Sequence, residues 1–258
     1  NKLYGCGKYS KVTQYVEPST SIFLEVPDIS NVIKTSCGDS HTAIIKSDGS
    51  LWTTGYNSSG QLGDNTITDK SSPVQTVAAG TTWKQVSCGY NSVSSIKTDG
   101  SLWGWGSNGM GCLGNGTTNP ITIPTQIDAG PWNKISCGYN FSAGIKSNGT
   151  LWTCGSNGYG VLGFGDFNDR TTFTQVGTDT DWIDVQCGNG NIYALKSNGT
   201  LWVTGDNRYG ASGLGITTGK TSVFTKVGTN TNYTSIAILQ NDIPVDTTTS
   251  YAIVLAQP

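Results

Sequence analysis

The chain has 258 residues, of which 12% are charged, with a net charge of −2, 35 glycines and a single histidine and methionine. Without clustered Lys or Arg it lacks the basic footprint that nucleic acid or an acidic membrane requires. No run of about 18 apolar residues occurs, so membrane insertion through a helix is not expected. A chain this long can bury a substantial core, and barrels or propellers of this size count as one domain.

Residues 1–29 open with Leu3-Tyr4-Gly5-Cys6-Gly7, which matches Leu151-Trp152-Thr153-Cys154-Gly155 position by position. The chain therefore enters in the middle of a repeating unit. Whole units follow at about 30–80, 81–130, 131–180 and 181–230. Their cysteines at Cys37, Cys88, Cys137 and Cys187 each precede a glycine, at separations of 51, 49 and 50 residues. Leu-Trp pairs recur in step, at Trp52, Trp103, Trp152 and Trp202. Trp83, Trp132 and Trp182 stand five residues before their cysteines, with Val32 and Tyr233 in the same series. A period in this range marks propellers or solenoids.

Within each unit two short apolar runs flank a turn: Lys46-Ser-Asp-Gly-Ser50, Lys97-Thr-Asp-Gly-Ser101, Lys146-Ser-Asn-Gly-Thr150 and Lys196-Ser-Asn-Gly-Thr200. Asp-Gly and Asn-Gly predict a β-hairpin there, because glycine accepts the positive φ that the turn needs. A glycine-rich crossing follows each Leu-Trp strand, at Gly55–Gly63, Gly106–Gly114 and Gly155–Gly163, with a drifted copy from Gly205. No stretch keeps a 3.6-residue apolar period, so almost no helix is predicted.

Residues 231–258 supply the front half that the N-terminus lacks. Tyr233–Ile236 corresponds to Trp182–Val185, and Tyr251-Ala252-Ile253 resembles Tyr193-Ala194-Leu195. Between them runs a longer polar excursion, Gln240 to Thr249. The reading is four whole units plus one composite of 231–258 and 1–29. Pairing residues 1–7 with the sheet of 231–258 would close a ring and remove two free strand edges.

The recurrent Cys-Gly, turn, Leu-Trp and Gly-x-Asn-x-x-Gly-x-Leu-Gly series resembles the regulator of chromosome condensation repeat, most closely the short version in bacterial and phage proteins. The resemblance covers nearly the whole chain. It implies an all-β fold, a β-propeller of four-stranded blades, here five-bladed and closed by its N- and C-terminal strands, where the founding protein has seven. That founding protein is a guanine-nucleotide exchange factor for a small GTPase that also docks on chromatin. This chain has fewer blades, no basic tail and no matched exchange wedge, so those activities do not transfer. A familiar family histidine is matched at His41 alone, with Ser92, Phe141 and Asn191 at its equivalents.

No catalytic set is visible, so an enzyme is not expected, and no cofactor or metal site is called for. The seven cysteines follow repeat position rather than Cys-x-x-Cys spacing and read as buried thiols that pack as small hydrophobes. His41 lacks companions for a triad or zinc site. Asp166 and Asp169 do not have the spacing of a calcium loop. Trp52, Trp103, Trp152 and Trp202 read as packing between adjacent sheets rather than as a sugar platform.

The crossings place variable residues at equivalent points: Ser59, Met110, Tyr159 and Tyr209, with Arg208 beside the last and a loop from Phe164 to Arg170 after the third. Tyr, Met and Arg are favoured at protein interfaces. Met110, Tyr159, Phe167, Arg170, Arg208 and Tyr209 are therefore the candidate protein-binding residues. Low charge with much Thr, Ser, Asn and Gly on a rigid repeat points to a structural or binding module on an extracellular assembly. A phage virion (tail, fibre or capsid decoration) is the specific expectation. Its partners would be copies of itself or other virion or surface proteins. The alternatives are a lectin-like propeller with a glycan partner and, by fold analogy, an intracellular regulator of a small GTPase.

Overall fold

The computed structural model describes the backbone of residues 2–8, 19–77, 80–217, 219–239 and 251–256, and side chains from 29 to 238 except 78, 79, 209 and 218. Four antiparallel four-stranded sheets follow one another. The first holds β3 (Val32–Cys37), β4 (His41–Lys46), β5 (Leu51–Gly55) and β6 (Lys70–Gln75); the second β7 (Trp83–Cys88), β8 (Ser92–Lys97), β9 (Leu102–Gly106) and β10 (Ile121–Asp128). The third holds β11 (Trp132–Cys137), β12 (Phe141–Lys146), β13 (Leu151–Gly155) and β14 (Arg170–Gln175); the fourth β15 (Trp182–Cys187), β16 (Asn191–Lys196), β17 (Leu201–Asp206) and β18 (Lys220–Lys226). Strands are ordered as they occur in the chain, the up-and-down meander of a propeller blade. Among the described residues the one helical element is a 3-10 turn at Arg208–Gly210.

The hairpin turn explains why its residue types recur. Asp48 Oδ1 accepts from Ser50 N at 2.9 Å and from Ser50 Oγ at 2.6 Å, and Trp52 Nε1 donates to Ser50 Oγ at 2.9 Å. Gly49 takes φ +77°, and a Cβ there would lie 1.8 Å from Thr81 O. Asp99-Ser101-Trp103, Asn148-Thr150-Trp152 and Asn198-Thr200-Trp202 repeat the bonding. One Asx side chain thus shapes the turn while the hydroxyl orients the tryptophan.

The crossings are wound around a buried asparagine. Asn57 Oδ1 accepts from Leu62 N, and its Nδ2 lies within hydrogen-bond reach of Asp64 Oδ1, Thr66 O and Thr68 O. Asn157 and Asn207 do the same work in the third and fourth crossings. An asparagine has both the donors and the acceptor that such a loop leaves unpaired.

The chain divides into two compact units, residues 1–108 with 119–130, and residues 109–118 with 131–258. In the first, Ala43, Ile45 and Leu51 pack against Trp83, Val86, Val93 and Trp105. In the second, Ala143, Ile145 and Leu151 pack with Val185, Ile192 and Ala194. Middle strands are covered on both faces and so are apolar or small at nearly every position, as in β12, Phe-Ser-Ala-Gly-Ile-Lys. Each fully buried Ile or Leu contributes roughly 1.5–3 kcal/mol.

Neighbouring sheets are also clasped by hydrogen bonds. Cys88 N donates to Ser36 Oγ at 2.9 Å while Cys88 Sγ donates to Ser36 O at 3.3 Å. Cys187 and Ser136 repeat both bonds, at 2.9 and 3.2 Å. The Ser-Cys-Gly motif is therefore a two-way clasp. Further along, Asn65 N bonds Thr122 O, Gly116 N bonds Thr171 O and Gly165 N bonds Ser222 O, so a crossing caps the last strand of the following sheet.

One expectation is corrected and another is extended. Cys37 is exposed, unlike Cys88, Cys137 and Cys187; among the described residues of its unit no four-stranded sheet precedes that of β3 as the sheet of β3 precedes that of β7. Trp103, Trp152 and Trp202 are half-buried and stack edge-on against the first-strand tryptophan of their own sheet, Trp103 on Trp83 at 5.8 Å and Trp202 on Trp182 at 6.1 Å, while Trp103 and Trp202 also pack against clusters drawn from two sheets. A lysine caps each pair, Lys97 lying 4.7 and 3.8 Å from the two ring centroids. This lysine is the one that opens each turn motif.

The expected ladder between residues 1–7 and 231–258 is not among the described pairings. There β1 (Lys2–Lys8) pairs with β2 (Ser19–Ser30), and β19 (Tyr233–Leu239) with β20 (Tyr251–Ala256). Their registers copy complementary halves of the fourth sheet. Tyr4↔Glu25, Gly5↔Leu24 and Gly7↔Thr20 reproduce Trp202↔Lys226, Val203↔Thr225 and Gly205↔Thr221, with the irregularity at the same place. Tyr233↔Ala256, Ser235↔Leu255 and Ile236↔Val254 reproduce Trp182↔Lys196, Asp184↔Leu195 and Val185↔Ala194, which corrects the sequence match by two residues and sets Ala252 at the place of Ile192 rather than Ala194. The excursion Gln240–Thr249 and the Lys8–Val26 stretch up to Ser19 fall mostly outside the described residues.

Candidate protein-binding surface

The third and fourth crossings present the most side-chain chemistry. Tyr159 sits at the tip of the third, between Gly158 and Gly160, and is 40% exposed. Gly160 has φ +72°, and a Cβ there would fall 2.8 Å from Ser222 and 3.3 Å from the Phe167 ring. That glycine lets the crossing lie against β18 while Phe167, 55% exposed, folds over it.

Two cations border these rings. Lys220 Nζ lies 4.8 Å from the Tyr159 centroid and 5.6 Å from that of Phe167, and donates to Gly158 O at 3.0 Å. The Arg208 guanidinium lies 5.1 Å from the Tyr159 centroid. It is held by the almost fully buried Asp206, which accepts from Nε at 2.9 Å and Nη2 at 2.7 Å. That bidentate bond raises the Arg208 pKa further, so the guanidinium is permanently charged. Buried Asp206 thus fixes Arg208, and Arg208 and Lys220 orient the exposed ring.

The other candidates are placed differently. Arg170 turns back into its own loop, bonded to Asp166 Oδ2 at 2.7 Å and Asn168 O at 2.7 Å, with its guanidinium 4.9 Å from the Phe164 ring. Met110 is 46% exposed, and no described contact links it to Tyr159 or Phe167. The Tyr209 side chain lies outside the described residues. Lys220 was missed in the sequence, although the same position carries Lys70 and Arg170 in two other units.

Among the described residues no group of three or more His, Cys, Asp or Glu side chains is placed to hold a metal. His41 is buried with neither ring nitrogen hydrogen-bonded. Burial pushes its pKa down to about 4, against a smaller opposing effect of the nearby Ser92 backbone that does not amount to a bond. It fills the place that Phe141 fills in the third sheet, each ring lying over a glycine, Gly38 or Gly138. The thiols of Cys154 and Cys187 are pushed well up by burial, so neither is a nucleophile.

Four-stranded antiparallel meanders, clasped to a neighbour within each unit, define a repeat protein of the β-propeller class. The Regulator of chromosome condensation (RCC1) repeat matches residues 48–96, 99–145 and 148–195, and a second form of it matches 32–61, 132–161 and 182–211. The chain belongs to this repeat family. It resembles the solved structure of human WBSCR16 (TM-score 0.82, 20% identity, 97% of this chain and 65% of that one). It also resembles Prp20p from Saccharomyces cerevisiae, studied with its binding to Gsp1p and histones (TM-score 0.76, 20% identity, 88% and 59%), and yeast Prp20 solved with Kap60 (TM-score 0.77, 19% identity, 91% and 60%). At these identities the likeness is one of fold. A Caenorhabditis elegans X-linked retinitis pigmentosa GTPase regulator homolog is 35% identical over 98 residues, 36% of this chain and 7% of that protein. The chain spans less than a tenth of that relative and under two thirds of the length of the solved ones.

Proposed function

We propose that this chain is a non-enzymatic, protein-binding propeller that docks a partner on the surface of its third and fourth crossings. The observation that carries the reading is the exposed Tyr159–Phe167 pair held by Lys220 and by an Arg208 anchored on buried Asp206. Aromatic side chains and Arg, pre-positioned on a rigid scaffold, are what protein interfaces use as anchors. The protein partners of Prp20, namely Gsp1p, histones and Kap60, support a protein rather than a small molecule.

In this reading the scaffold is one domain, a five-bladed ring whose seam at β3 is the loosest: β19 carries Ala237 where Ser36 and Ser136 clasp the next cysteine, and Thr35 is polar, so Cys37 stays accessible. The complementary registers of β1–β2 and β19–β20 support them as the two halves of the fifth blade, with β20 pairing β1 as β16 pairs β17. The test of docking is a photo-crosslinking residue at position 167, with one at Ile67, its equivalent in the first unit, as control. Capture of a protein from the native source at 167 and not at 67 is expected; no capture at 167 overturns the reading.

Two contexts are separable. Regulation of a small GTPase is favoured by the GTPase regulator homolog, and accelerated nucleotide release from a candidate GTPase tests it. A place on an extracellular assembly such as a phage particle rests on the low-charge, Thr/Ser/Asn/Gly-rich composition; mass spectrometry of purified particles tests that.

A further inference from the structure

The cation that opens the last strand of a sheet is neutralised in the first and third units. Lys70 pairs with Asp64 at 3.4 Å and Arg170 with Asp166 at 2.7 Å. Each also follows a carboxylate that caps the crossing, Asp69 Oδ1 accepting from Asn57 N and Asp169 Oδ1 from Asn157 N. The fourth unit has lost these acids. Gly219 stands where Asp69 and Asp169 stand, Leu214 where Asp64 stands, and Ile216 where Asp166 stands. Asn207 N is satisfied by Gly219 O instead.

Lys220 is therefore left, among the described residues, without a carboxylate. It extends to the preceding crossing, where it meets one carbonyl and two rings. Asp206 offsets Arg208, Asp166 offsets Arg170, and the remaining carboxylate of the loop, Asp169, accepts from the Asn157 backbone amide, so Lys220 is the cation of the Tyr159–Phe167 surface with no ion pair among the described residues. A carbonyl and two ring faces leave an ammonium's three donors incompletely used, and its neighbouring apolar surface is open to a partner.

Resting on the docking reading above, we propose that Lys220 receives an Asp or Glu side chain of the partner protein, with Tyr159 and Phe167 holding the apolar residues that flank it. The occupant is thus a protein segment with a carboxylate between large apolar side chains. Charge complementarity selects it. A basic segment would meet the like charge of Lys220, and a neutral one would leave Lys220 uncompensated as the rings around it are covered.

The probe is a blocked Leu-Asp-Leu-Asp-Leu peptide against its Leu-Asn-Leu-Asn-Leu counterpart, titrated into the full chain with the amides of Gly158, Tyr159 and Lys220 followed by NMR. Saturable shifts with the Asp peptide are expected. The Asn peptide, or Lys220→Gln, should weaken binding about threefold to fivefold, and Lys220→Arg should retain it. Equal shifts with both peptides, or binding unchanged by Lys220→Gln, overturns the inference. Photo-capture at position 167 by Lys220→Gln as efficiently as by wild type likewise overturns it while leaving docking intact; absence of capture in wild type overturns the docking reading itself.

Discussion

β3 and β15 occupy the same place in their sheets and differ in what covers them. β15 lies under β11: Val185 and Cys187 are buried, and Ser136 clasps Cys187. Among the described residues of its unit no first strand covers β3 in this way, and Thr35 and Cys37 are exposed. The strands have nearly the same hydrogen-bond register with their partners, so their own sheets do not make the difference. Burial of a first strand is supplied by the preceding sheet. The sequence is adjusted accordingly, with Thr35 where Val86, Ile135, Val185 and Ile236 stand in the other units.

The largest effect expected from this contrast is at the tryptophan positions. Trp182 is buried against Trp202, Phe224 and the capping Lys196. Trp182→Ala should cost about 3–5 kcal/mol, whereas Val32→Ala at the same point of β3 should cost about 1 kcal/mol, both read from urea unfolding. Equal costs would break the contrast.

Next comes pH. His41 has a folded pKa of about 4, below the ordinary 6.5. Above pH 6.5 both folded and unfolded states are neutral there and its contribution is complete. As pH falls from 6.5 towards 4 the unfolded chain takes up a proton that the folded chain refuses, so stability declines by roughly 3 kcal/mol through this group. His41→Phe, which copies the ring of Phe141 in the third sheet, should remove that part of the acid dependence. An identical pH profile in the variant would show that His41 titrates freely in the fold.

The smallest effect concerns the clasp. Cys187→Ala should cost about 1 kcal/mol or somewhat more through lost packing and the lost Ser136 bond, and Cys37→Ala close to nothing. In native protein a thiol reagent should modify Cys37 well before Cys88, Cys137, Cys154 or Cys187. Uniform labelling would place all five in one environment.

Much of this organisation was legible in the residues. The Asp-Gly and Asn-Gly turns fix strand pairing locally, and the Leu-Trp and Cys-Gly periods place every sheet, because both depend on short-range chemistry. What covers a repeat position was not legible: Cys37 and Cys187 look alike in sequence and differ through a strand tens of residues away. The surface was half legible. Tyr159, Phe167 and Arg208 stand out by type, but Arg170 satisfies itself within its loop through Asp166, and Lys220 gains its place from acids missing at Leu214, Ile216 and Gly219. Absence of a neighbour's charge leaves no local pattern to read.

The claim that the two termini form one blade has a direct test in the register itself. In the fourth sheet Ile192 faces Thr204; by the same alignment the proposed pairing would set Ala252 opposite the native Cys6. Ala252→Cys should form an intramolecular disulfide with Cys6 under mild oxidation. It would be seen as faster migration on a non-reducing gel and, by mass spectrometry, as a peptide in which Cys6 is cross-linked to the introduced thiol. Ile253→Cys, on the other face of the strand, should not cross-link. Failure of Ala252→Cys to cross-link, or equal cross-linking by Ile253→Cys, would contradict a ring closed by β1 and β20.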